Sequence, residues 1–180
     1  MTRDRRYGRA MSKTEELDRA IALRQDGAPE EAVAVMTALL ETSPHDPTLN
    51  YQMAWTCDSM GHEKRAAPYY ERALANGLAG DDRRGAFLGL GSTYRCLGRY
   101  EESLATFDRA LSECPEDRGM RTFRALTLYN LGQHSAAVTD LRMVGVHLRT
   151  TEPVGAIIAF DGNAEHLLLA NLVIEAPDSD

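Results

Sequence analysis

The 180-residue chain contains three cysteines, one tryptophan and two lysines, and each scarcity narrows what it can be. Cys57, Cys96 and Cys114 are odd in number and separated by 39 and 18 residues, with no CxxC pair and no histidine at metal-ligand spacing. That excludes a disulfide framework or a structural zinc site and predicts reduced thiols in the cytoplasm. Cys57 and Cys96 fall in helical patterns, where cysteine acts as a small hydrophobe, and nothing marks a low-pKa thiol. No apolar run approaches the roughly 18 residues of a membrane span, and no signal-peptide core follows the basic start. Positive charge is also short: 20 Lys+Arg against 27 Asp+Glu give a net charge of −7, against a general nucleic-acid or anionic-membrane binder.

Catalytic motifs are missing too. There is no HExxH, GxSxG or phosphate loop; GLGSTYR lies inside a helical pattern, not in a phosphate cradle. His45, His62, His134, His147 and His166 mostly fall in turns or near helix ends, where a histidine can simply cap a helix. Glu30–Glu31, Asp81–Asp82 and Glu101–Glu102 occupy first turns or loops, where the helix dipole favours negative charge. The expectation is a chain that is no enzyme and needs no cofactor or metal.

What the sequence does have is a period. Gly27, Gly61, Gly98 and Gly132 each stand between two helical patterns and are spaced 34, 37 and 34 residues apart. Seven residues before them come Ala20, Ala54, Gly91 and Ala125; five after come Ala32, Ala66, Ser103 and Ala137. Bulky Met36, Tyr70, Phe107 and Leu141 stand nine after, and Leu39, Ala73, Ala110 and Val144 twelve after. Two antiparallel helices joined by a tight turn approach closely only along a row of small residues. The turn glycine closes the first helix in a left-handed conformation. The large residues then fill the gap to the following helix pair, and Pro44 and Pro115 stop the second helices of units one and three.

A helix–turn–helix unit of this length resembles the tetratricopeptide repeat. The third unit, FLGLGSTYRCLGRYEESLATFDRALSECPED, carries the resemblance best, through Phe87, Leu90, Gly91, Tyr94, Gly98, Tyr100, Ser103, Phe107, Ala110 and Pro115. The second follows it from Met53 and Ala54 to Ala73, but has Leu78 for the closing proline and three extra residues in the loop AGDDRR. The first and fourth are weaker, with Arg19 and Arg124 where an apolar residue is usual. The units fall at 13–46, 47–80, 84–117 and 118–151. From LDRAIALRQDGAPEEAV through GLGSTYRCLGRYEESL the chain is similar to the small bacterial proteins of TPR family 5. Eighteen arginines against two lysines point to a GC-rich genome, in keeping with a bacterial source. The resemblance implies an all-α, right-handed superhelical solenoid of four repeats, and self-association has been suggested for such proteins.

It also implies that the first helix of each unit lines a concave groove. By register that face carries Leu17, Ile21, Arg24 and Gln25, then Tyr51, Trp55, Asp58 and Ser59. Leu88, Ser92, Arg95 and Cys96 follow in the third unit, and Thr122, Leu126, Tyr129 and Asn130 in the fourth. Aromatic residues among a few polar ones suit an extended peptide or a partner helix. Trp55 is the strongest single contact candidate, unless it and Tyr51 merely fill the interior or are covered by the C-terminal segment. The carboxylate clamp of chaperone-binding repeats is missing: Leu17, Ile21, Tyr51 and Trp55 replace its polar set, though Arg24 and Arg95 could still meet one carboxylate. The expected function is therefore a protein–protein interaction module, with an unidentified protein or peptide as partner and no nucleic acid or membrane.

The ends read differently. Residues 1–12 form a basic leader with Arg3, Arg5, Arg6 and Arg9, either an arm for an acidic partner or nucleic acid, or a disordered start ahead of Met11. Residues 1–13 hold five basic groups against one acid, so the remainder carries −11, and that body favours basic or apolar protein partners. Residues 152–180 are a capping or dimerisation segment with an acidic tail. Ala164, Leu168 and Leu172 predict a helix over about 163–173 as the cover of the last repeat. Asp161-Gly162-Asn163 between apolar runs is equally a hairpin signal. A homodimer through this segment is the alternative to a separate ligand.

Overall fold

A computed structural model describes residues 12–144, 147–149 and 157–159. They form, in order, α1 (Lys13–Gln25), α2 (Pro29–Thr42), α3 (Pro47–Ser59), α4 (Glu63–Ala75), α5 (Gly80–Cys96), α6 (Tyr100–Glu113), α7 (Arg118–Asn130), α8 (His134–Met143), β1 (His147–Arg149) and β2 (Ile157–Ala159). The chain divides into two compact units, Met1–Thr93 and Tyr94–Asp180, with α5 crossing the boundary.

The helix starts follow from their caps. Ser12 and Glu15 make a reciprocal capping box at α1, the Glu15 amide donating to Ser12 Oγ at 3.2 Å and the Ser12 amide to Glu15 Oε2 at 2.7 Å. Asp46 accepts from the Leu49 amide at 2.9 Å and Asp117 from the Met120 amide at 3.0 Å, doing the same for α3 and α7. The second helices α2, α4, α6 and α8 have no side-chain cap bond; His62, at the cap position of α4, makes none.

Their geometry is set instead by the turns before them. Gly27, Gly61, Gly98 and Gly132 have φ of 83°, 71°, 74° and 72°, the left-handed region glycine enters without steric cost. The amides of Ala28, His62, Arg99 and Gln133 then donate five residues back to Leu23, Cys57, Tyr94 and Leu128, each at 2.9 Å. This is one C-terminal motif used four times. Gly77 (φ 85°) ends α4 in the same way, the Leu78 amide donating to the Ala73 carbonyl at 3.1 Å. A glycine thus replaces the closing proline of the second repeat, and Leu78 is buried.

In the first unit α1 packs on α2, α2 on α3 and α3 on α4; in the second α6 packs on α7 and α7 on α8. The small-residue rows are buried throughout: Ala20, Ala54, Gly91 and Ala125, then Ala32, Ala66, Ser103 and Ala137. Met36, Tyr70, Phe107 and Leu141 are buried as gap fillers, as are Leu39, Ala73, Ala110 and Val144. Removing a side chain such as Met36 or Phe107 from water contributes roughly 1.5–3 kcal/mol. Ser103, in the small row, meets its polar need through Thr127, the two hydroxyls lying 2.9 Å apart.

Several expectations are corrected. The residues read as a loop, Gly80 to Arg84, are the opening of the 17-residue α5, whose first turn places Asp81 and Asp82 at the positive end of the helix dipole. In the fourth repeat, drawn to 151, helix ends at Met143 and β1 follows. β1, within the span given to the fourth repeat, pairs antiparallel with β2 ahead of the expected 163–173 helix, His147 opposite Ala159 and Arg149 opposite Ile157. The expected helix at 163–173 and residues 1–11 of the basic leader lie outside the described residues. Cys57 is buried as expected, but Cys96 is exposed at the end of α5 and is no packing residue.

Candidate functional site

Within the first unit four of the expected groove residues come together: Arg24, Tyr51, Trp55 and Asp58. The 3.6-residue helical period puts 51, 55 and 58 of α3 on one face. Arg24 reaches that face from α1. Its guanidinium lies 4.1 Å from the Trp55 ring centroid, and Nη1 donates to Gln52 Oε1 at 2.9 Å and Thr56 Oγ1 at 3.3 Å. Burial lowers the Arg24 pKa from its ordinary value, but a guanidinium keeps its charge in a protein. Such a stack is worth about 0.5–1 kcal/mol at an exposed site.

Trp55 remains 45% exposed and Tyr51 only 8%. The two readings of this pair therefore separate: Tyr51 is filler and Trp55 is surface. The Trp55 and Tyr51 rings are 6.0 Å apart and tilted by 34°, and Tyr51 meets Tyr70 at 6.2 Å and 48°. Three aromatic side chains thus run from solvent into the core. Tyr51 and Tyr70 have room because α5 presents Gly85 and Gly89 to them. A Cβ at 85 would lie 2.3 Å from the Tyr51 hydroxyl, and one at 89 would lie 2.4 Å from Tyr70 Cζ. Burial, and then the charge of Asp82, raise the Tyr51 phenol; burial and the neighbouring Asp58 raise that of Tyr70.

Asp58 is half-buried beside these rings. Its Oδ2 accepts from the Tyr70 hydroxyl at 3.3 Å and its Oδ1 from Thr93 Oγ1 at 3.2 Å. Burial raises its pKa, the two hydroxyl bonds oppose that, and Glu63 adds negative charge. No lysine or arginine among the described residues pairs with it. In the sequence Tyr70 is legible only as a gap filler, and Thr93 not at all. Gly85 and Gly89 carry a signal in their one-turn spacing, which marks a helix face that others approach closely.

The remaining candidates are more dispersed. Leu17, Ile21, Leu88 and Ser92 are half-buried, Gln25 is exposed, and exposed Ser59 donates back to the Thr56 carbonyl at 2.9 Å. In the second unit Arg95 Nη1 reaches Asn130 Oδ1 at 3.5 Å, a long contact, and Tyr129 stacks on His134 at 5.0 Å. Leu126 is half-buried, Thr122 is buried, and Asn130 and Cys96 are exposed. The second unit also carries an ionic cluster. Asp140, 4% exposed, receives two bonds of 3.1 Å from Arg124 Nη1, with Arg121 at 3.9 Å, while Arg124 Nε sits 2.7 Å from Asp108. Arg124, at an ordinarily apolar position of the repeat, is thus answered by a buried acid from α8. Burial raises the Asp140 pKa, and Arg124 and Arg121 only partly offset it.

Glycine-turned helix pairs with buried small-residue rows define an all-α helical-repeat protein of the tetratricopeptide kind. The sequence model of the family described as "Tetratrico peptide repeat" (TPR_5) matches residues 47–150, and the chain belongs to that family. No curated protein matches it by sequence. Among solved structures it is similar to MamA MSR-1, with 17% identity and a TM-score of 0.68 over 75% of this chain and 76% of that one. It is likewise similar to a MamA RS-1 double mutant, at 20% identity and TM-score 0.68 over 74% of each chain. A MamA fragment from Desulfovibrio magneticus RS-1 gives 18% and 0.66 over 75% and 76%. At these identities the likeness is one of fold. Such repeats are in general protein-interaction scaffolds without catalysis, and no helix among the described residues is long and apolar enough to cross a membrane.

Proposed function

We propose that the protein is a non-enzymatic interaction module that binds a peptide or helix of a partner protein on the Arg24–Tyr51–Trp55–Asp58 face of its first unit. The observation that carries this reading is Trp55. A large apolar side chain that is 45% exposed is held in place by a cation on one side and by buried Tyr51 on the other. A rigid aromatic offers contact area at little entropic cost, which is what binding hot spots use. The unpaired thiols of exposed Cys96 and Cys114 suit a reducing, cytoplasmic setting.

Trp55 is the only tryptophan, so its fluorescence reports this face without labelling. Partners captured by the wild-type chain should be lost from Trp55→Ala, and an isolated partner segment should shift the wild-type emission. Unchanged partners on Trp55→Ala together with silent emission would reject the assignment. Tyr51→Ala is a poor control, because removing a buried aromatic costs about 3–5 kcal/mol and confounds binding with folding.

A further inference from the structure

The charges around Trp55 are unevenly arranged along α3. Arg24 is anchored at Gln52 and Thr56, the first of them a turn before Trp55. Asp58 lies three residues after Trp55 on the same face, within one turn. It accepts one hydroxyl bond per oxygen, from Tyr70 and Thr93, whereas a carboxylate can accept about four. No cation among the described residues pairs with it, and Glu63 adds to its negative field. A carboxylate with neutral donors only, on a residue that is half-buried, is incompletely compensated. Asp82 of α5 contributes further negative charge near Tyr51.

We infer that this face takes a cationic segment of a partner protein, an apolar residue lying on Trp55 and a lysine or arginine reaching Asp58. Arg24 already fixes one cation over the Trp55 ring, so Asp58 is the acceptor left for a cation that the partner brings. Arginine or lysine would satisfy the remaining acceptor sites of Asp58 with charge-assisted bonds. The net charge of −11 on residues 14–180, what remains of −7 once the +4 of residues 1–13 is removed, steers such a segment inward. The inference rests on the reading of Trp55 as the contact and adds to it what the partner must carry.

The test is a random 12-residue peptide library displayed on phage and panned on the full chain, followed by titration of single enriched peptides against Trp55 emission. Enriched peptides should pair a leucine or aromatic residue with a lysine or arginine, and their affinity should fall with added salt. Asp58→Asn should raise their Kd roughly tenfold or more and flatten the salt dependence. The same variant should melt no lower than wild type, because a neutral amide is easier to bury there; a merely structural Asp58 would instead lower the melting temperature. Peptides that distinguish Trp55→Ala but bind Asp58→Asn as tightly as wild type, or that carry no basic residue, overturn this inference alone. Peptides that fail to distinguish wild type from Trp55→Ala overturn it together with the contact face.

Discussion

Replacing Gly89 by alanine sets two effects of similar size against each other. Alanine favours the interior of α5 by about 1 kcal/mol over glycine. Its Cβ, however, would lie 2.4 Å from Tyr70 Cζ, 2.5 Å from the hydroxyl and 2.9 Å from Cε1, inside contact distance of a ring that is 2% exposed. The ring must move, which costs roughly 1–3 kcal/mol as overpacking. Moving it also breaks the Tyr70–Asp58 bond, and leaving the buried hydroxyl without a partner costs about 1–3 kcal/mol. The net expectation is a loss of about 2 kcal/mol, or roughly 4–8 °C in melting temperature for a chain of this size. Gly85→Ala differs in kind. Its nearest neighbour is the Tyr51 hydroxyl at 2.3 Å, and the next atom, Cζ, is already at 3.1 Å. Tyr51→Phe should therefore rescue Gly85→Ala, whereas Tyr70→Phe should not rescue Gly89→Ala, where a ring carbon collides. Thermal and urea denaturation of the four single and two double variants measure this. Gly89→Ala at wild-type stability, or equal rescue in both pairs, would refute the close-approach argument.

Three further outcomes are expected. Arg124→Leu strands buried Asp140 with only Arg121 at 3.9 Å and should cost about 3 kcal/mol in urea denaturation; adding Asp140→Leu should recover most of it, and a double variant no more stable than the single one contradicts the reading. Asp58 has a raised pKa, so the folded chain holds its proton more tightly than the unfolded one, and this contribution to stability is full below the unfolded carboxylate pKa and lost as pH rises through the folded one. Asp58→Asn should thus gain on wild type at neutral pH and lose that advantage on acidification, as melting curves from pH 3 to 7 would show, roughly spanning the carboxylate range. Gly98, at φ 74° with no atom within 4 Å of where a Cβ would stand, should lose about 1–2 kcal/mol as alanine, with asparagine less harmful, by the same denaturation assay.

The repeat is legible because it repeats. Each small-residue column, each gap filler and each turn glycine is constrained by the same close approach in four places, which chance agreement does not produce. Legibility fails where the units depart from one another. Gly80-Asp81-Asp82-Arg83-Arg84 reads as a loop on composition, yet Asp81 and Asp82 are good first-turn residues and the helix simply starts early. Arg124 looks like a weak match, because its compensation by Asp140 lies sixteen residues on and matches no repeat column. Trp55 and Tyr51 share a face in the sequence pattern, and only the depth of α5 at Gly85 decides that one is inside and the other out. The uncompensated charge of Asp58 is likewise a fact of three dimensions, since its partners come from α4 and α5.

The order of packing has a consequence for synthesis. In the first unit α2 docks on α1, α3 on α2 and α4 on α3, so each helix leaving the ribosome finds its partner already made. Among the described residues of that unit, no apolar row waits for a distant segment, as a sheet assembled from remote strands would. Local pairing of this kind makes folding fast and shortens the time for which sticky surface is open to other nascent chains. The Arg24–Trp55 stack is complete once α3 has emerged, and the partners of Asp58 and Tyr51 follow with α4 and α5 as far as Thr93, while most of the second unit is still being translated.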